Sequence, residues 1–155
     1  MKTFLFAFVL FTLFLSACNP SNVNAEVPNT SEAKAAQAMV DQFSKAYSTY
    51  DADLLISLLH DDYIFMDYGL GDGPITKGNI IYFIKEAMAD PESFGFQVDS
   101  YIITPDGRFA VLNGPFALKS KSTGKLVETP SYSVLEFRDG MIIAETWYYN
   151  GEVFH

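Results

Sequence analysis

Beginning at Ser31, apolar residues recur at steps of three and four. Ala36, Met39, Val40, Phe43, Ala46, Tyr47 and Tyr50 mark one face of a helix. Asp51 then stands as the N-cap of a short second helix carrying Leu54, Leu55, Leu58 and Leu59. Asp61-Asp62 ends it, and residues 63–68 (YIFMDY) predict a strand rich in aromatic and β-branched side chains. A glycine-rich turn follows over 69–73. A third helix, capped around Asn79, places Ile80, Phe83, Ile84, Ala87 and Met88 on one side and closes at Asp90-Pro91. The remainder reads as strands over 95–104, 108–119, 125–138 and 141–150. They are joined at Pro105-Asp106-Gly107, Ser122-Thr123-Gly124 and Asp139-Gly140, the last a strong hairpin signal. Helices first and a meander afterwards predict an α+β domain over residues 31–155, with three N-terminal helices packed on one face of a curved antiparallel sheet.

The chain ahead of this domain has a different pattern. Residues 4–15 (FLFAFVLFTLFL) form an apolar run behind Lys2. Twelve residues are too few to span a bilayer and fit the core of a secretory signal. The run leads into Leu15-Ser16-Ala17-Cys18, which resembles the bacterial lipobox at all four positions. That motif implies cleavage before Cys18 and acylation (palmitate-type chains) of its thiol, with residues 1–17 as a lipoprotein signal peptide. Asn19, rather than Asp, resembles an outer-membrane address, so the expected location is the cell envelope, lipid-anchored and facing the periplasm. Residues 18–30, polar and with two prolines, read as a flexible tether. An ordinary signal peptide cut after Val23-Asn24-Ala25 is the alternative, giving a secreted or periplasmic soluble protein.

Charge narrows the function classes. Without residues 1–17 the chain carries nine basic against 19 acidic residues, a balance of −10. Such a surface repels phosphate backbones, which excludes nucleic acid as a partner. One cysteine precludes an internal disulfide and a Cys-based zinc site, and two histidines, at a helix end and at the last residue, make no metal centre. Phosphate-binding loops, dinucleotide fingerprints and serine-hydrolase or zincin motifs are absent, so no cofactor is expected.

Four local motifs share an order and spacing with a known superfamily. They are Tyr50-Asp51-Ala52-Asp53-Leu54 between the first helices, and His60-Asp61-Asp62-Tyr63-Ile64 at the first strand. Lys77-Gly78-Asn79-Ile80-Ile81 opens the third helix, and Phe137-Arg138-Asp139-Gly140-Met141-Ile142 forms the last hairpin. Together they resemble the nuclear transport factor 2-like superfamily, in its SnoaL-like and ketosteroid-isomerase-like branches, over about residues 35–150. The resemblance implies a cone-shaped half-barrel closed by helices around an apolar pocket, and allows a homodimer through the outer sheet face. It does not fix an activity, because this fold serves many.

Residues two apart on a strand share a face. Asp67 matches the place of the general base in the isomerase branch, so Tyr63 and Phe65 would face inward with it. The alternative for Asp67 is a strand-end aspartate bonded to the backbone of the 69–73 turn. On the last strand Glu145, Trp147 and Tyr149 share a face, and Glu145 could share a proton with Asp67 as a catalytic dyad. Glu145 could equally lie hydrated at the cone's mouth, with the two aromatics as core or cavity wall. The isomerase oxyanion donors are replaced here: Phe43 stands at the tyrosine position, with Tyr47 one turn later on the same face, and Ser133 stands in place of a carboxylic acid. Asn113-Gly114-Pro115 inside a strand predicts a bulge that turns Asn113 toward the cavity. Two functions follow: a tethered domain binding a small hydrophobic ligand in an aromatic-lined cone, or an acid–base enzyme of isomerase, cyclase or dehydratase type acting through Asp67 on a hydrophobic carbonyl compound.

Overall fold

The computed structural model describes residues 24–120 and 122–155. Cys18 and the signal segment lie outside the described residues. Helix α1 (Ser31–Thr49) is capped by Thr30, whose hydroxyl accepts from the Ala33 amide, and it ends on Tyr50 in the left-handed region. Asp51 caps α2 (Ala52–Ser57) by accepting from the Leu54 amide, satisfying an N–H that has no partner within the helix. Leu58 is therefore the C-cap and Leu59 already begins a strand, a turn earlier than the leucine spacing suggested. The third helix, α3 (Lys77–Ala89), opens at Thr76 rather than near Asn79.

The strands are β1 (Asn24–Glu26), β2 (Leu59–Asp67), β3 (Asp72–Thr76), β4 (Phe94–Phe96), β5 (Ser100–Ile103), β6 (Phe109–Lys119), β7 (Leu126–Arg138) and β8 (Met141–Tyr149). They form one sheet in the order β1-β5-β6-β7-β8-β2-β3, with β4 pairing beside β5 on β6. The meander β5 to β8 is antiparallel, as expected. The sheet as a whole is mixed, because β2 lies parallel to β8 and β1 parallel to β5. The helices pack on one face of this curved, unclosed sheet, the α+β arrangement the pattern predicted.

Three local features differ from the sequence reading. Residues 24–26, assigned to the tether, add an edge strand to β5. The glycine-rich segment does not only turn: it returns as β3, antiparallel to β2. The strand expected over 95–104 is broken at residues 97–99, where three residues oppose Gly114 and Pro115. The bulge therefore sits on the opposing chain, while Asn113, Gly114 and Pro115 run in unbroken register with β7. Gly114 permits this approach, since a Cβ there would lie 1.8 Å from the Gln97 carbonyl oxygen.

Val40, Phe43 and Ala46 from α1 are fully buried against Leu55, Leu112 and Leu135. Each large apolar side chain so buried contributes about 2 kcal/mol. This packed half of the cone fixes α1 against the sheet, and the opposite half, between α3 and the β2–β3 and β8 strands, stays hollow.

Candidate functional site

The hollow is a cavity of about 400 Å³. Its floor comes from β2 and β8, whose parallel pairing sets Phe65 beside Glu145 and Asp67 beside Trp147. Alternation along each strand then turns Tyr63, Phe65 and Asp67, and Glu145, Trp147 and Tyr149, into the same space, and all six line it. Tyr47 forms the wall from α1. The α3 face that the sequence marked as a packing face, including Ile80, Phe83 and Ile84, roofs the cavity rather than filling it. Phe83 and Leu70, 54% and 41% exposed, stand at its rim.

Glu145 is 2% exposed, so it is not a hydrated group at the mouth. The Tyr63 hydroxyl donates to its Oε2 at 2.7 Å, and the Trp147 indole N–H donates to its Oε1. Burial pushes the Glu145 carboxyl up to about 7, against the opposing pull of those two hydrogen bonds, and the Asp67 charge adds a smaller push. The same burial holds the Tyr47 and Tyr63 hydroxyls well above their ordinary range, with the Glu145 charge reinforcing it.

Asp67 has a different role from its neighbour. Its Oδ1 accepts from the Gly69 and Leu70 amides, each at 2.9 Å, and its Oδ2 accepts from the Tyr149 hydroxyl at 2.7 Å. This is the turn-bonded aspartate, here also forming part of the cavity floor. Gly69 makes room for the Tyr149 ring, because a Cβ there would fall 2.3 Å from it. Each carboxylate thus has its own tyrosine donor, Tyr63 for Glu145 and Tyr149 for Asp67. Raised to about 7, the Glu145 carboxyl is suited to carrying a proton near neutrality.

Three expected cavity residues lie elsewhere. Phe43 is fully buried in the packed half, its ring 4.8 Å from that of Tyr47, one layer behind the wall. Ser133 is fully buried on the inner sheet face opposite Trp147, does not line the cavity, and its Oγ has no hydrogen-bond partner. Asn113 points to the outer face, because β6 runs without a bulge and parity sets it with exposed Val111 and Tyr132. Asn150 caps the short 3₁₀ helix Gly151–Phe154 by accepting from the Glu152 amide.

Sequence reasoning missed Phe116, Phe94 and Ile75 in the cavity lining. Parity could have found Phe116, two residues beyond Gly114 on β6; Ile75 was masked by the glycine-rich segment around it. Phe116 meets Trp147 edge to face at 4.8 Å and lies tilted against Tyr149 at 4.6 Å, making a continuous aromatic wall.

Comparison with known proteins bears on this geometry. A family model described as a SnoaL-like domain matches residues 40–145. The chain belongs to that family. No curated protein matches it by sequence. Among solved structures this SnoaL-like domain is similar to a proposed polyketide cyclase from Xanthomonas campestris, with 20% identity and a TM-score of 0.64 over 79% of this chain and 96% of the other. It is similar to a proposed SnoaL-like polyketide cyclase from Shewanella denitrificans, with 18% identity and a TM-score of 0.62 over 76% and 91%. A third neighbour, from Catenulispora acidiphila, has a ketosteroid isomerase-like fold and was solved in complex with trimethylamine; it shows 16% identity and a TM-score of 0.60 over 72% and 84%. At these identities the likeness is one of fold.

Proposed function

We propose that this SnoaL-like domain is lipid-anchored in the cell envelope and binds a small hydrophobic ligand in its cone. The cavity carries the reading: about 400 Å³ of space, walled by aromatic and aliphatic side chains, with two hydrogen-bonded carboxylates at the floor. That volume falls in the range of small-molecule sites, and such sites combine apolar walls with few fixed polar groups. The trimethylamine complex of the Catenulispora neighbour is in keeping with a fold that accommodates small molecules. The anchor rests on Leu15-Ser16-Ala17-Cys18; no helix among the described residues is long and apolar enough to cross a membrane. The outer sheet face, with Tyr132 and Tyr148 exposed, is where a homodimer would form.

Trp147 is the only tryptophan and stands in the cavity wall, so its emission reports occupancy. Titration with neutral, naphthalene-sized compounds should shift or quench that emission saturably. A folded protein whose emission responds to none of them contradicts the reading.

Proton-transfer catalysis on a hydrophobic carbonyl compound is the second reading, favoured by one feature: Glu145 is buried in the cavity lining, and that burial pushes its carboxyl up to about 7. It moves the proton carrier from Asp67, whose oxygens already accept three hydrogen bonds, to Glu145. Turnover of such a compound, lost in Glu145→Gln with ligand affinity retained, would establish it.

A further inference from the structure

The polar groups at the cavity floor are unequally committed. Tyr63, Trp147 and Tyr149 all donate inward to the two carboxylates, so these three donors are spent. Acceptor capacity is left over: a carboxylate offers about four lone-pair positions, and Glu145 uses two of them while Asp67 uses three. Among the described residues no positive charge balances this acidity. The cavity lining includes Asp67, Glu86 and Glu145 and no lysine, arginine or histidine. The ion pairs among the described residues are His60–Asp62, Lys77–Asp61 and Arg108–Glu136, and none involves either floor carboxylate.

We propose that the cavity takes an organic cation, an apolar amine in its ammonium form, with the charged nitrogen between the Glu145 and Asp67 carboxylates and the hydrocarbon against the aromatic wall. An ammonium N–H supplies a donor to those open acceptor positions and a counter-charge to Glu145. Tyr47, Phe65, Trp147 and Phe116 line the same cavity, and aromatic rings attract cations most strongly where water is excluded. A net charge of −9 favours approach of a cation and disfavours an anion. Glu145 is the kind of buried carboxylate that a bound cation would restore to its ionised form.

The inference rests on the cone being a ligand cavity, and the test separates the two. N,N-dimethylbenzylamine, protonated at neutral pH, is compared with its uncharged isostere isobutylbenzene by Trp147 emission in the wild-type protein and in Glu145→Gln. The ammonium should bind about tenfold or more tightly than the isostere, and Glu145→Gln should erase that preference while still binding isobutylbenzene. Equal affinities, or tighter binding of isobutylbenzene, overturn the cation inference and leave the apolar cavity standing. A preference that survives Glu145→Gln overturns the role given to Glu145. If neither compound perturbs Trp147, both the inference and the ligand-cavity reading fail. Should Glu145→Gln not fold, the wild-type ratio decides, since the two compounds differ only in charge and its N–H.

Discussion

The most exposed consequence of this structure is a stability that falls as pH rises through the weakly acidic range. Glu145 is buried with no ion-pair partner among the described residues, and its carboxyl is pushed from its ordinary 4.5 up to about 7. Between those values the folded chain holds a proton that the unfolded chain has released, so stability declines with increasing pH. Its contribution is intact below pH 4.5, shrinks through the interval, and is fully lost above 7. Each pH unit of difference is worth about 1.4 kcal/mol, so the full loss comes to about 3 kcal/mol. Glu145→Gln keeps the volume and removes the titration. Urea unfolding followed by Trp147 emission at pH 5 and pH 8 should show the wild type losing about 2.5 kcal/mol more than the variant across that span, the rest having been lost already below pH 5. Carboxylates common to both proteins cancel in the comparison, including Glu32, Asp61 and Asp106, whose shifts run downward and act at lower pH. Parallel pH profiles for the two proteins would refute the argument that burial of an unpaired charge governs this site.

Three further outcomes are expected. Ser133→Ala removes a fully buried hydroxyl that has no partner and should be neutral or stabilising by up to about 1 kcal/mol in the same unfolding assay; a loss of stability would show that the hydroxyl is satisfied in solution. Gly114→Ala forces a Cβ to within 1.8 Å of the Gln97 carbonyl oxygen, where only backbone movement relieves the clash, and should cost on the order of 3 kcal/mol or prevent folding, read by circular dichroism and thermal melting. Asp67→Asn removes a charge that raises the Glu145 carboxyl, so the Glu145 titration followed by carboxyl-selective NMR should move to lower pH; an unmoved midpoint would mean that the two acids do not sense each other.

Much of this was legible in the sequence where a single periodicity decided the outcome. Period two placed Tyr63, Phe65 and Asp67 on one face of β2 and Glu145, Trp147 and Tyr149 on one face of β8, and the fold brings both faces to one cavity. Period 3.6 found the face of α3, although not that it roofs empty space instead of packing solid. What failed depended on pairings between distant segments. Whether a glycine inside β6 marks a bulge is settled by the chain opposite, and there residues 97–99 carry the extra residue, so Asn113 faces outward. Ser133 has the inward parity, but its small side chain is fully buried and does not reach the cavity, a matter of depth that alternation does not encode. The exchange of emphasis between Asp67 and Glu145 has the same origin: the Gly69 and Leu70 amides engage the first through local turn geometry, while the desolvation of the second follows from the whole cone.

The central claim, that the space between α3 and the sheet receives a ligand, is tested most directly by intermolecular NMR contacts from a bound apolar aromatic compound. Protons of the ligand should show Overhauser contacts to the Trp147 indole, the Phe65 ring and the Ile84 methyls. Contacts confined to Tyr132 and Tyr148 on the outer face would place binding on the wrong side of the sheet and contradict the account.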